Sequence, residues 1–223
     1  MTARSLAVLL DLDGTLVDTV PFILQSVGAA FEGRARRPSE AEWLAGIGQP
    51  LRVQLAPYAT GPEDLDAILA RYRAYQREHH DRMTRAFPGA VEAVRAVAAA
   101  GHRVGVVTGK LGDTAQRALE LVGLAPFVQT VVAADSCPEH KPDPAPVLLA
   151  LARLGRPATE ALFLGDAPVD LQAGRAAGVT TVAALWGAAS REVLLAHGPA
   201  HLLEDVSGLP ALVARLAARS AAA

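Results

Sequence analysis

Short apolar runs and amphipathic segments alternate along most of this chain of 223 residues. The runs at 6–10 and 104–107 are continuous, which is typical of strands that are buried on both faces of a sheet. The segments that follow such runs carry apolar residues at helical spacing, and several end at a glycine, a common stop for a helix. Strands that alternate with helices predict an α/β fold with a Rossmann-like parallel sheet and right-handed crossovers.

The same pattern locates the other elements of this α/β core. Further strands are predicted at 128–135, 161–164 and 179–185. Helices are predicted at 90–100, 113–123, 144–155 and 171–178, and an alanine-rich helix is predicted at 214–223. Three of the predicted helices end close to Gly101, Gly123 and Gly155.

Residues 16–85 interrupt the alternation, because they contain amphipathic segments but no strand-like run. One segment places Val20, Leu24, Val27 and Phe31 at helical spacing. A second, at 63–80, is predicted to turn its apolar residues inward and its arginines to solvent. The inward set is Leu65, Ile68, Leu69, Tyr72 and Tyr75, and the outward set is Arg71, Arg73 and Arg77. We therefore predict a core of 1–15 and 86–223, with an all-helical domain, 16–85, inserted after the first strand.

Composition excludes several classes of protein. The formal net charge is −2, so the chain has no basic excess that would recruit nucleic acid. No apolar stretch approaches the ~18 residues of a membrane span, and the N-terminal residues do not resemble a targeting signal. The single cysteine, Cys137, cannot form an intramolecular disulfide. The histidines show no metal-ligand spacing, and His79 and His80 are expected at a solvated helix end. A cytoplasmic location is expected.

Polar residues follow four of the predicted strands at the point where each strand ends. They are Asp11 and Asp13 after the first strand, Thr108 and Gly109 after the second, Lys141 after the third, and Asp166 and Asp170 after the fourth. The carboxyl ends of the strands in an open parallel sheet face the ligand crevice. We therefore expect these residues to meet at one site.

These residue types suit a metal-assisted reaction of a phosphoryl group. Side chains alternate along an extended segment, so Asp11 and Asp13 are expected to point to the same side. Carboxylates brought together repel one another unless a cation joins them, and their hard oxygens suit Mg²⁺. A lysine and a hydroxyl beside such a centre suit a phosphoryl group, whose oxygens require cations and hydrogen-bond donors.

Simpler structural roles remain open for several of these residues. Asp11 and Asp13 could form a turn at the strand end, and Lys141 could be an ordinary solvated lysine. Asp170 could cap a helix, alone or while also serving the site. Lys110, directly after the second cluster, is expected on the surface of a loop.

The order and spacing of the four clusters resemble those of the haloacid dehalogenase superfamily, specifically its phosphatases. "DLDGTLVD" is similar to the first motif of that family, "VVTGK" to the second, "KPDP" to the third and "GDAPVD" to the fourth. The match extends along essentially the whole chain, and the helical insert is similar to the family's small cap domain. The resemblance implies Mg²⁺-dependent hydrolysis of a small phosphate monoester. Asp13 favours the phosphatases, because a dehalogenase has no leaving oxygen to protonate.

The resemblance also implies a role for each residue. Asp11 would be the nucleophile that forms an aspartyl phosphate, and Asp13 would be the general acid and then the general base. Thr108 and the amide of Gly109 would hold phosphate oxygens, and Lys141 would neutralise charge on the nucleophile and the transferred group. Mg²⁺ would be bound by Asp11, the backbone carbonyl of Asp13 and Asp166, and Asp170 would bind it through water or orient the groups that do.

Two positions depart from the usual motifs of the family. Ala167 stands where Ser or Thr commonly follows "GD", and Gly109 stands where Ser or Asn commonly follows the threonine of the second motif. Only a backbone amide can act at Gly109. Neither departure removes a group that the chemistry needs.

The helical insert, of about 70 residues, is expected to select the leaving group, and its closure favours a small phosphorylated metabolite over a folded protein. Within it, segment 44–52 either reaches into the site, through Gln49 or Arg52, or only connects two helices. The resemblance places 2-phosphoglycolate first, then inorganic pyrophosphate and other small phosphomonoesters, then a β-phosphoglucomutase-like transfer. A phosphorylation switch at Asp11 is the non-enzymatic alternative. No nucleic-acid or membrane partner is expected, and the protein is expected to be a monomer or a homodimer.

Overall fold

A computed structural model describes residues 5–220 of the chain. Its six strands are β1 (Ala7–Leu10), β2 (Arg103–Val107), β3 (Thr130–Val132), β4 (Ala161–Gly165), β5 (Thr180–Ala184) and β6 (His201–Leu203). They form one parallel sheet in the order β3-β2-β1-β4-β5-β6. The strand order reverses at β1, which lies between β2 and β4, and such a reversal is where α/β folds place their ligand crevice. The predicted fold class is confirmed.

Both faces of the sheet are buried, which explains the continuous apolar runs. Val8 and Leu10 belong to the core cluster on one face, whereas Ala7 and Leu9 belong to the cluster on the other face. The two sets alternate because successive side chains of a strand point to opposite faces. Each strand of this kind must therefore be apolar at every position.

Helices cover the two faces of the sheet. In chain order they are α1 (Val20–Ala30), α2 (Glu40–Ala45), α3 (Leu51–Leu55), α4 (Pro62–Met83), α5 (Ala90–Ala99), α6 (Gly112–Leu121), α7 (Ala145–Leu154), α8 (Pro168–Ala176), α9 (Arg191–Ala196) and α10 (Leu209–Ser220). Residues of α5, α6 and α10 join the core cluster on one face of the sheet, and residues of α7 and α8 join the cluster on the other. Gly155 ends α7 in the left-handed conformation, as its position after the apolar pattern predicted.

Helices α1 to α4 lie between the first two strands, and no strand is described among residues 18–85. They share a separate hydrophobic cluster, which also includes Ala167 and Val169 from the core. The insert therefore has apolar contact with the segment that follows β4. The bounds 16–85 for a cap domain stay a prediction.

Two short elements of the α/β core were missing from the sequence prediction. Strand β6 has three residues and none of its side chains is fully buried, so it gives no apolar run. Helix α9 has six residues, of which only Leu194 is buried. The predicted helix at 214–223 is found as far as Ser220, and its last three residues lie outside the described range. No helix within residues 5–220 is long and apolar enough to cross a membrane.

Candidate active site

Asp11 stands at the carboxyl end of the central strand. Its backbone amide still donates to the carbonyl of Leu164, 2.9 Å away, so the strand geometry continues up to this residue. The side chain is buried and accepts a hydrogen bond from Nζ of Lys141 at 2.9 Å. The rigid centre of the sheet therefore fixes the position of the carboxylate.

Lys141 joins the ends of β1 and β2 to the first turn of α8 through one ammonium group. Its Nζ donates to Oδ1 of Asp11, to Oδ1 of Asp170 at 2.6 Å and to the carbonyl of Val107 at 3.2 Å. Burial alone would lower the pKa of this amine, but the two carboxylates outweigh burial and raise its pKa. Lys141 is therefore a buried cation at the site and not a solvated loop lysine.

Asp166 is held in place by hydrogen bonds and by two glycines. Its carboxylate accepts from Oγ1 of Thr15 at 2.7 Å and from the amide of Ala188 at 2.8 Å. A Cβ at Gly14 or at Gly187 would collide with this side chain, and Gly14 also has a φ of +79°. The two loops approach Asp166 this closely only because glycine lacks a Cβ.

The carboxylates of Asp11, Asp166 and Asp170 each offer an oxygen within 4.8 Å of the others. Burial raises the pKa of Asp11 well above its usual range, and Asp170 and Asp166 raise it further, while Lys141 acts in the opposite direction. Burial, reinforced by Asp170, raises the pKa of Asp166 to about 7. Three buried carboxylates with one buried ammonium form a site that a divalent cation would stabilise, because the cation offsets both the repulsion and the desolvation.

Asp170 fills two structural roles together. One carboxylate oxygen accepts from Lys141, and the other accepts from the backbone amide of Ala167, at 3.0 Å, at the start of α8. The capping role considered for Asp170 is therefore present, and the same carboxylate contacts Lys141; its part in metal binding stays a prediction. Ala167 contributes its backbone amide to the N-terminal cap of α8, so the hydroxyl that is missing at this position is not needed for that cap.

The carboxylate of Asp13 lines the same cavity but is not among the three clustered acids. It accepts from Nζ of Lys110 at 2.9 and 3.0 Å and from Oγ1 of Thr19 at 2.6 Å. Burial would raise the pKa of Asp13, but Lys110 and Thr19 outweigh it and lower the pKa. The predicted contact of Asp13 with a metal, through its backbone carbonyl, stays a prediction.

The expectation that Lys110 lies on a loop surface is wrong. Its side chain is only 9% exposed, because it reaches back across the site to Asp13. One signal in the sequence could have shown this. The chain has 21 basic residues, and only Lys110 and Lys141 among them are lysines. A chain that uses arginine elsewhere retains lysine at two positions, and both contact an aspartate of the "DLD" motif.

We expect Lys110→Met to lower kcat by about 10- to 100-fold, because Lys110 orients the carboxyl that would act as general acid and base. Lys110→Arg keeps the charge and should recover part of the loss. Steady-state kinetics, with thermal melting as the control for folding, would test this positioning role. Activity of the methionine variant equal to that of the original chain would refute it.

Thr108 and Gly109 lie where the second strand ends, beside Asp11. Thr108 is buried, and its Oγ1 accepts from the amide of Lys110 at 3.2 Å. A Cβ at Gly109 would lie 3.2 Å from the carbonyl oxygen of Gly48 in the helical insert. Gly109, which stands where the family commonly has Ser or Asn, therefore allows the insert to approach the core.

A cavity of about 600 Å³ opens between the strand ends and the helical insert. Asp11, Asp13 and Asp166 line its core side, and Gln49 and Arg52 are among the residues of the insert that line it. Segment 44–52 therefore borders the cavity and does not serve only to connect two helices. The guanidinium of Arg52 pairs with Asp66 at 2.6 Å.

The expected position of His80 needs correction, and that of Tyr75 is met only in part. His80 is buried, with 2% of its surface exposed, and it lines the cavity instead of lying at a solvated helix end. Tyr75 was predicted to face inward and is half-buried. Periodicity could not show the burial of His80, because the residues that cover it belong to other parts of the fold.

Comparisons with known proteins agree with this geometry. The model of the haloacid dehalogenase-like hydrolase family matches residues 8–184. A curated relative from Bacillus velezensis, named pyrophosphatase PpaX, is 36% identical over 210 residues, which cover 92% of this chain and 95% of the relative. A pyrophosphatase PpaX from Listeria monocytogenes is 33% identical over 215 residues, with 96% of this chain and 98% of the relative covered.

Solved structures share the fold. One, described as a predicted phosphoglycolate phosphatase from Haemophilus somnus, has a TM-score of 0.84 at 24% identity and covers 93% of this chain and 97% of its own. Another, a hydrolase from Pseudomonas syringae, has a TM-score of 0.81 at 26% identity and covers 92% of this chain and 96% of its own. Structural likeness therefore extends over the insert as well as the sheet.

Proposed function

This chain belongs to the haloacid dehalogenase-like hydrolase family, and we propose that it hydrolyses a small phosphate compound through an aspartyl phosphate formed on Asp11. One observation carries the proposal. Asp11 ends the central strand in contact with a buried ammonium, and two further buried carboxylates converge on it. A turn at a strand end does not require four buried charges. Because the chain belongs to a family of hydrolases, we propose an enzyme and not the alternative in which Asp11 is a phosphorylation switch.

The residues present fit the Mg²⁺ that the family implies. Carboxylate oxygens of Asp11, Asp166 and Asp170, with the backbone carbonyl of Asp13, would hold the ion as hard oxygen ligands. When bound, Mg²⁺ supplies positive charge to the transferred phosphoryl group. The fit rests on the clustering and the raised pKa values of these acids.

The chain's own residues supply the remaining chemistry. An oxygen of Asp11 attacks phosphorus, and the bond from phosphorus to the leaving oxygen breaks as Asp13, in its protonated form, delivers a proton to that oxygen. Asp13 then takes a proton from water, whose oxygen attacks phosphorus and releases Asp11. Lys141 offsets negative charge on Asp11 and the transferred group, and Thr108 donates a hydrogen bond to a phosphoryl oxygen.

We place inorganic pyrophosphate before 2-phosphoglycolate among the candidate substrates, which changes the order expected from the motifs. Curated relatives of nearly the same length carry the pyrophosphatase name, at 36% and 33% identity. The ammonium of Lys110 also adjoins Asp13, so a leaving group that receives its proton from Asp13 lies near a cation. That arrangement suits a leaving group that still carries negative charge after its oxygen is protonated, as phosphate does.

Phosphate release from a panel of substrates would test the proposal. We expect Mg²⁺-dependent release from pyrophosphate and 2-phosphoglycolate, with lower kcat/KM for hexose phosphates, nucleoside monophosphates and p-nitrophenyl phosphate. EDTA should abolish release, and added Mg²⁺ should restore it. Release that persists in EDTA would contradict the metal assignment. No release from any member of the panel would contradict the proposed hydrolysis, and a β-phosphoglucomutase-like transfer would then be tested with a sugar bisphosphate.

A further inference from the structure

Three residues of α4 form one wall of the active-site cavity. Arg73, Arg77 and His80 follow one another at spacings of four and three residues, which places them on the same face of the helix. All three line the cavity that also contains Asp11 and Asp13. A substrate whose phosphoryl group reaches Asp11 therefore extends its remaining part into a space bounded by these side chains.

The polar ends of these side chains have no partner within residues 5–220. The side chains of Arg73 and Arg77 are exposed and make no hydrogen bond or ion pair there. Nε2 of His80 is buried without a hydrogen-bond partner. The histidine ring is oriented from its other side, because Nδ1 lies 2.9 Å from Oδ1 of Asp81. Oδ2 of the same carboxylate accepts a hydrogen bond from Arg117 at 2.7 Å.

Three other arginines on or beside α4 contact protein groups. Arg71, on the same helix, donates to the carbonyl of Glu32 at 3.2 Å, and Arg34 pairs with Asp64 at 2.6 Å. Arg52 lines the cavity but pairs with Asp66. Two guanidinium groups without partners and one buried ring nitrogen therefore remain on the α4 wall.

We propose that Arg73, Arg77 and His80 bind the negatively charged leaving group of the substrate, meaning its non-transferred phosphate or carboxylate. Guanidinium groups recognise such oxyanions through charge-assisted and frequently bidentate hydrogen bonds. The proposal rests on the proposed function, because it assumes that Asp11 receives the phosphoryl group. It adds the means by which the enzyme distinguishes an anionic leaving group from a neutral one.

Variants of the two arginines would test the site through substrate selectivity. We expect Arg73→Gln and Arg77→Gln each to lower kcat/KM for pyrophosphate and 2-phosphoglycolate by about tenfold or more, since each removes a charge-assisted hydrogen bond. The same variants should change kcat/KM for p-nitrophenyl phosphate, whose leaving group has no phosphate or carboxylate, by less than about threefold. His80→Gln should act in the same direction. Arg71→Gln is the matched control and should leave the ratio of the two rates unchanged.

Binding of methylenediphosphonate gives a second readout that does not depend on turnover. Calorimetric titration in Mg²⁺ should show the dissociation constant rising by about tenfold or more in Arg73→Gln and Arg77→Gln, but not in Arg71→Gln. If the chain hydrolyses nothing and these variants still lose binding, the proposed function is wrong and the anion site stands. If hydrolysis is observed but the variants slow all substrates equally, or weaken neither binding nor turnover, the anion site is wrong and the proposed function stands.

Discussion

Asp11→Asn is expected to reduce kcat by on the order of 10⁴-fold or more, to the background of the assay. An amide oxygen at this position is neutral and a far weaker nucleophile than the carboxylate, so the aspartyl phosphate cannot form. The substituted side chain has the same shape and can still accept a hydrogen bond from Lys141. The effect therefore isolates the chemical role of one oxygen atom.

Folding should survive this substitution. Burial disfavours the ionised form of Asp11 in the metal-free protein, as its raised pKa indicates. A neutral side chain removes that penalty and reduces repulsion with Asp166 and Asp170. We expect the melting temperature in EDTA to equal or exceed that of the original chain. Asp18→Asn, at an exposed aspartate of the same loop, is the control and should keep full activity.

Detection of the intermediate completes this test. Rapid acid quenching during turnover, followed by mass spectrometry, should reveal a protein species heavier by one phosphoryl group, with the modification on Asp11. The Asp11→Asn variant should show none. Near-normal turnover of that variant, or a phosphoryl group found on another residue, would refute the nucleophile assignment.

The positions of the motif residues were predictable because a parallel sheet brings the carboxyl ends of its strands together. Asp11, Lys141, Asp166 and Asp170 lie far apart in the chain, yet each follows an apolar strand or the loop after it. Once the strands are identified, the convergence of these side chains follows from topology. Their burial and mutual contacts agree with that reasoning.

The contacts across the cavity could not be predicted in this way. Lys110 and His80 were expected in solvent, because a loop residue after a strand and the end of an amphipathic helix are commonly exposed. Their burial depends on how the insert lies against the core, which involves contacts between elements distant in sequence, such as Gly48 with Gly109. Helical periodicity identified the outward face of α4 but not the cavity that this face borders.

Lys141→Met should remove activity and also weaken the fold, which distinguishes it from Asp11→Asn. Lys141 places one ammonium between Asp11 and Asp170, and its loss leaves buried carboxylates without their cation. Removing one partner of a buried ion pair typically lowers the free energy of unfolding by about 3–5 kcal/mol. We expect a loss of this size in the metal-free protein, and a fall in kcat on the order of 10²- to 10³-fold because charge on the transferred group is no longer offset.

Mg²⁺ and pH should both modulate this loss of stability. Mg²⁺ supplies positive charge to the same carboxylates, so saturating Mg²⁺ should recover part of the lost stability. Burial raises the pKa of Asp11 and, to about 7, that of Asp166, so the folded state binds protons more readily than the unfolded state. Their contribution to stability is present at low pH and is lost as the pH rises through the folded-state pKa. The variant in EDTA should therefore be more destabilised at about pH 8 than at about pH 6.

Urea unfolding of both proteins at the two pH values, with EDTA and with Mg²⁺, measures these differences. Arg153→Met is the control, since Arg153 is an exposed cation on α7 that donates a hydrogen bond to the carbonyl of Val131. Lys141→Arg should not restore activity, because a guanidinium is too large for the buried position between two carboxylates and the carbonyl of Val107. A Lys141→Met variant as stable in EDTA at high pH as the original chain would show that the carboxylates are solvated, and the argument for a buried, cation-dependent site would then fail.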